Sequence, residues 1–116
     1  MEAPDAYRKF LGTEVTVVID RPLGSSHPTH GFRYETNYGY LPDTLAGDGE
    51  EIDAYVLGVS TPCATFTGRC IAIIYRRDDN EHKLVVAPEP LRETEIVART
   101  AFVEQFYDTF VELAAG

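Results

Sequence analysis

The chain has 116 residues, enough for one hydrophobic core but not for two, and carries a formal net charge of −9. Lys9 and Lys83 are its only lysines, so it lacks the clustered cations with which a nucleic-acid or anionic-membrane surface neutralises phosphates; both partner classes are excluded. No apolar run approaches the roughly 20 residues of a membrane span, and the order Met1-Glu2-Ala3-Pro4-Asp5 is not that of a signal peptide, so a cytoplasmic location is expected.

Pro4 to Leu11 reads as a short amphipathic helix, with Pro4 early in it and Gly12 as its carboxyl-terminal cap. Val15 to Asp20 follows as a strand: positions 15, 17 and 19 are apolar and β-branched, and Asp20 projects from the other face at the strand end. Arg21 to Gly31, rich in proline, glycine, serine and histidine, is a loop. Phe32 to Tyr40 alternates again, with Phe32, Tyr34, Tyr38 and Tyr40 on one side. After a loop from Leu41 to Gly49, strands are expected at Ala54–Gly58, Gly68–Arg76 and His82–Ala87, the last two joined by the turn Asp78-Asp79-Asn80. From Thr94 to Leu113 the apolar positions Ile96, Val103, Phe106, Phe110 and Leu113 recur at helical steps, which predicts a closing amphipathic helix. Cys63 and Cys70 are too far apart for a paired metal knuckle and are read as reduced, structural thiols.

Five short strands with helices only at the ends fit a mainly β (α+β) domain spanning residues 1–116, built as a small barrel rather than a parallel α/β sheet. Such a barrel does not define a function, so the site must. Its strongest signal is Asp48-Gly49-Glu50-Glu51-Ile52-Asp53, acidic positions around a glycine turn that suit a hard cation and, through it, a small phosphate ligand. A calcium loop of the helix-loop-helix kind is disfavoured, because the oxygen donors do not recur at every second position. Taken alone, the same residues could form a solvated turn; the histidines His27 and His30 suit surface positions, and Asp78 and Asp79 suit simple turn formers.

The run Asn37-Tyr38-Gly39-Tyr40-Leu41-Pro42, followed by Thr44-Leu45 and the acidic hexapeptide, resembles the core of the soluble family I inorganic pyrophosphatases. Weaker likeness extends to Val17-Val18-Ile19-Asp20 and to Lys83-Leu84-Val85-Val86-Ala87-Pro88. The resemblance implies a five-stranded OB-like barrel that hydrolyses pyrophosphate to two phosphates with magnesium and a metal-activated water. It implies Asp48 and Asp53 as catalytic metal ligands, with Asp20, Glu81 and Asp78 as further ligand candidates. Glu50 takes the place of the aspartate that serves the family as base, and Lys83 would face the leaving phosphate. Tyr38 matches a position that hydrogen-bonds the metal-phosphate assembly, and Arg33 is a candidate for substrate binding beside Arg21, Arg76, Arg77, His27 and His30. Other family features differ here: Ser26 stands about where the family has an arginine, and Phe106-Tyr107 where it has a tyrosine-lysine pair. Because so much of the cationic clamp is replaced, a regulatory or sensor protein that binds metal and phosphate without turnover is the alternative, and a barrel used as an interaction module is a third. The excess of aromatics at Phe102, Phe106, Tyr107 and Phe110 points to a homo-oligomer interface.

Overall fold

A computed structural model of the chain describes residues 5–46, 49–79 and 81–115. The elements run α1 (Asp5–Arg8), β1 (Glu14–Arg21), β2 (Asn37–Leu41), β3 (Ile52–Val56), β4 (Thr65–Arg76), β5 (Lys83–Ala87), α2 (Glu93–Glu104) and β6 (Thr109–Leu113). Strands β1 to β5 close into a barrel in the order β1-β2-β3-β5-β4, because β1 pairs with β2 through its second half and with β4 through its first. All these pairings are antiparallel except β3 with β5, so the barrel is mixed.

Alternation along each strand sorts the barrel into two faces. Val15, Val17 and Ile19 of β1, Ile52, Ala54 and Val56 of β3, and Leu84 and Val86 of β5 fill the interior, joined by Leu41, Cys70, Ile73 and Tyr75. Burial raises the Cys70 thiol to about 11, so it stays protonated and inert. Tyr7 of α1 enters the same cluster at 1% exposure, with Phe10 and Leu11 packed against it. The expected amino-terminal helix is thus present but brief, and its start at Pro4 lies outside the described residues. Gly12 follows at φ +84°, the left-handed turn expected of it.

The opposite strand faces carry Tyr55, Ala72, Ile74, Val85 and Ala87, which pack beneath Ile96 of α2 with Phe102 and Val103 at the margin. Gly39 shows how closely the layers approach. A Cβ built there would lie 1.8 Å from the Val18 carbonyl oxygen, so the β1 backbone occupies the space any side chain would need.

The carboxyl-terminal reading needs correction. The helix ends at Glu104, and Thr109–Leu113 forms β6, antiparallel to β4 and outside the barrel. The N–H groups of Phe106 and Tyr107 tighten the last turn by bonding back to Val103 and Glu104. The Asp108 N–H then bonds the Asp78 carboxylate while its carbonyl accepts from the Arg77 N–H, which turns the chain onto β4. Phe110 stacks on Tyr75 at 4.8 Å, and Glu112 accepts from the Tyr75 hydroxyl and from Arg8. Three residues apart, Phe110 and Leu113 suit a helical step but fall on opposite faces of strand β6, so the spacing that predicted one apolar stripe does not produce one here. Of the long Phe32–Tyr40 segment, only Asn37–Leu41 is strand; Arg33 is tied to Ser26 by an isolated bridge.

Candidate active site

The outward faces of β2, β3 and β5 bring three expected residues into contact. Tyr38 lies opposite Tyr55 in the register, Asp53 lies beside Ala54, and Ala54 pairs with Leu84 next to Lys83. The Tyr38 hydroxyl donates to Asp53 Oδ2 at 2.8 Å, and the Lys83 ammonium donates to the same oxygen at 2.9 Å. Lys83 also donates to Glu81 Oε1 at 3.0 Å and lies 5.6 Å from the centroid of the Tyr38 ring. An ammonium has three donors, so one remains beyond these two bonds. The Lys83 side chain is only 2% exposed, which makes its two carboxylate partners the condition for burying its charge. Burial first, and the Asp53 charge second, hold the Tyr38 hydroxyl well above its ordinary range, so it acts as a donor.

Asp20, at the end of β1, completes this corner. Partial loss of water raises its carboxyl, Arg21 draws it down, and the charges of Asp53 and Glu51 push it up again. A carboxyl whose ionisation is opposed by neighbouring acids favours a cation beside it. Magnesium is commonly held by one or two carboxylates together with substrate phosphates, and Asp20 with Asp53 suits that donor set. Among the described residues no group of three His, Cys, Asp or Glu side chains is arranged to hold a metal.

The remaining candidates are dispersed. Asp48 lies outside the described residues. Glu50 is exposed on the loop before β3, where its carbonyl accepts from the Ala46 N–H. Asp78 faces β6 and accepts from the Asp108 N–H. Arg33 lines a cavity of about 770 Å³ together with Tyr38, Glu81 and Lys83. His27 accepts the N–H groups of Thr29 and His30 on Nδ1, an arrangement that organises its own loop.

A second polar group behind Lys83 was not anticipated as a unit. Arg76 at the end of β4 makes a two-pronged pair with Glu104 of α2, at 3.0 and 2.8 Å, and both side chains are about 5% exposed or less. Burial opposes the guanidinium charge, but Glu104 more than offsets this and raises the Arg76 pKa. Tyr55 donates to the same Glu104, and the Tyr107 ring lies under the guanidinium at 3.7 Å. Arg76 also approaches Glu81 at 3.9 Å, which links this pair to Lys83 and Asp53. A signal was present in the sequence: Ile96, Thr100 and Glu104, at i, i+4 and i+8, form the buried stripe of α2, and a glutamate on such a stripe requires a partner.

The profile of the family described as inorganic pyrophosphatase matches residues 13–110. The chain belongs to the inorganic pyrophosphatase family. An inorganic pyrophosphatase of Mesorhizobium japonicum is 29% identical over 115 residues, covering 87% of this chain and 62% of that protein. One from Saccharolobus solfataricus is 33% identical over 84 residues, covering 71% of this chain and 46% of its own length. The chain therefore spans less than two thirds of these relatives. The crystal structure of the inorganic pyrophosphatase from Ehrlichia chaffeensis superposes with a TM-score of 0.71 at 16% identity, covering 90% of this chain and 88% of that one. That likeness establishes the shared barrel fold.

Proposed function

We propose that this member of the inorganic pyrophosphatase family hydrolyses a small phosphoanhydride, with pyrophosphate as the reference substrate and magnesium as cofactor. The observation that carries the reading is the convergence of Tyr38, Asp53, Lys83 and Glu81 on one outward face of a barrel whose family is known. Asp53 and Asp20 would hold the ion, with Asp48 as a third ligand expected from the sequence. When bound, magnesium supplies charge neutralisation at the phosphoryl groups and a lowered pKa for attacking water.

The protein's own part is positioning and electrostatics, which dominate phosphoryl transfer. Lys83, fixed by Asp53 and Glu81, presents its remaining donor to a phosphoryl oxygen. Tyr38 holds Asp53 in one orientation by donating to Oδ2. Arg33, on the rim of the same cavity, contributes a cation to the leaving phosphate. Glu50, on the loop before β3, takes the sequence place of the family's base and is the candidate to accept the proton of water.

The test is phosphate release from pyrophosphate with millimolar magnesium, followed in the unaltered chain and in Asp53→Ala. Magnesium-dependent release that falls by about 10²-fold or more in Asp53→Ala is expected, the scale of losing a preorganised electrostatic group. Release no higher than a buffer blank in the unaltered chain would remove the hydrolytic reading. A position in the cytoplasm and assembly into homo-oligomers belong to the same proposal.

A further inference from the structure

We propose that the cavity beside Lys83 takes a nucleoside polyphosphate, with the base against an aromatic wall and the phosphoanhydride at the Tyr38–Asp53–Lys83 group. The inference rests on the phosphoanhydride reading of that group and specifies its substrate class. Its starting point is a mismatch of size and chemistry. A cavity of about 770 Å³ falls in the range of roughly 300–1,000 Å³ that receives organic ligands. Inorganic pyrophosphate has only two phosphorus and seven oxygen atoms, all of which require cations or N–H donors.

Much of the cavity wall offers neither. Lys83, Arg33 and Arg76 lie on its lining, but so do Phe32, Tyr34, Phe102 and Phe106. The Phe102 ring meets Tyr34 at 5.8 Å and Phe32 at 6.2 Å, both near edge to face, and Tyr34 continues to Tyr38 at 5.4 Å. Aromatic surface thus extends without a gap from α2 to the residue that hydrogen-bonds Asp53. Phe106 is 71% exposed at the edge of this wall, so its ring face is open to a ligand in the cavity. A planar base is the group that such surface accommodates, because every base has a π-face and stacking tolerates any sequence.

Charge separates along the same line. Lys83 sits at the Asp53 end, whereas Phe102 belongs to α2 and Phe106 follows its last turn; Arg76 lies between them, held by Glu104. A ligand anionic at one end and planar at the other matches that polarity; an apolar peptide or an inorganic ion matches one half only. The implied reaction adds water to one phosphorus, breaks its bond to the bridging oxygen, and lets the electron pair leave on that oxygen with the nucleoside-bearing or the terminal phosphate. Water is the sole co-reactant.

The experiment is calorimetric titration of the full chain in magnesium with two non-hydrolysable probes, imidodiphosphate and the β,γ-imido analogue of a purine nucleoside triphosphate. Stacking on one aromatic ring corresponds to a roughly 5- to 150-fold gain in affinity. The nucleotide should therefore bind at least about fivefold more tightly than imidodiphosphate. That advantage should disappear in Phe106→Ala or Phe102→Leu, with imidodiphosphate unaffected. The exposed Phe106 leaves the core intact when truncated, and leucine at 102 keeps the bulk that α2 packs on. Nucleotide affinity no better than that of imidodiphosphate, or an advantage that survives both substitutions, overturns the proposal. Cleavage of inorganic pyrophosphate alongside that outcome would leave the family reading standing. Conversely, a ring-dependent nucleotide advantage without release of phosphate from pyrophosphate would support the cavity assignment and remove hydrolysis of the inorganic ion.

Discussion

The inner and outer faces of this barrel are made from the same strands and obey opposite rules. Inside, Val17, Ala54, Cys70, Leu84 and Val86 leave no exposed surface, and His82 beside them is buried, which favours its neutral form. Its Nδ1 accepts the Arg76 N–H, and the rings of Tyr7 and Tyr75 stand 5.1 and 5.2 Å away. On the outside, the same strands add charges and hydroxyls, from Tyr38, Asp53, Arg76 and Lys83, beside the apolar patch of Ala72, Ile74, Val85 and Ala87 under α2. Those charges are also largely removed from water, but each is matched with an opposite one. The contrast shows that burial does not separate scaffold from chemistry here. Pairing does, since an apolar interior tolerates no mismatch of shape and a polar layer tolerates no mismatch of charge.

Breaking the inner face should give the largest effect. In Gly39→Ala the new methyl meets the Val18 carbonyl, which belongs to a backbone held on both sides by sheet. A loss of about 4 kcal/mol or more is expected, enough to abolish a cooperative transition in a marginally stable chain, read by far-ultraviolet circular dichroism on heating. A substitution to serine that melts like the unaltered protein would show that the two strands part more readily than their contact suggests.

On the outer face, Glu104→Ala leaves the Arg76 guanidinium buried without its two-pronged partner. Breaking a buried pair from one side costs about 3–5 kcal/mol, and this should appear as a shifted urea midpoint. Replacing both residues, as Arg76→Met with Glu104→Leu, should recover much of that stability while weakening phosphate release, because Glu81 and Lys83 lose a neighbouring charge. Recovery of stability and full activity together would restrict the pair to a structural role.

The neutral histidine offers a finer test. Burial, with Arg76 and Lys83 adding to it and Asp79 opposing, lowers the His82 pKa below the ordinary 6.5. A base with a lowered folded-state pKa has its full contribution above the unfolded value and loses it as pH falls through that value toward the folded one. The melting temperature should therefore decline as pH drops from 7 toward 5, and less steeply in His82→Asn, whose side-chain oxygen can accept the same N–H. Equal slopes in both proteins would assign the acid sensitivity elsewhere. Smallest of all should be Arg8→Ala, which removes an exposed pair with Glu112 at 2.8 Å. A small drop in melting temperature, diminishing as salt is raised, is expected from thermal melts.

The two faces also differ in how far they could be read in advance. Alternation in Glu14-Val15-Thr16-Val17-Val18-Ile19 placed 15, 17 and 19 inward, as found, because β-branched residues at period two have few other solutions. The barrel followed from strands of that kind, whereas the contact of Tyr38 with Asp53 and Lys83 depends on how β2, β3 and β5 pair. What covers the outer face was less legible. Phe106, Phe110 and Leu113 fit helical spacing, yet the chain leaves the helix after Glu104, a choice made by sheet partners on β4 that lie far earlier in the chain, such as Arg76 for Thr109 and Ala72 for Leu113. Arg76 was one candidate cation among several, and only the tertiary meeting of β4 with α2 explains why it is unavailable as a simple surface charge.

Strand β4 has a consequence of its own. Its residues Ala72, Ile73 and Ile74 hydrogen-bond β5 on one side and β6 on the other, while its beginning is paired with β1. No part of its middle forms a sheet edge. Its amides can exchange with deuterium only when at least one neighbouring strand has come away, so they should be the last in the chain to do so, close to the limit set by global unfolding. Arg76 ends that strand, and a cation anchored to the slowest-opening segment of the molecule keeps its place through the local fluctuations that loops undergo.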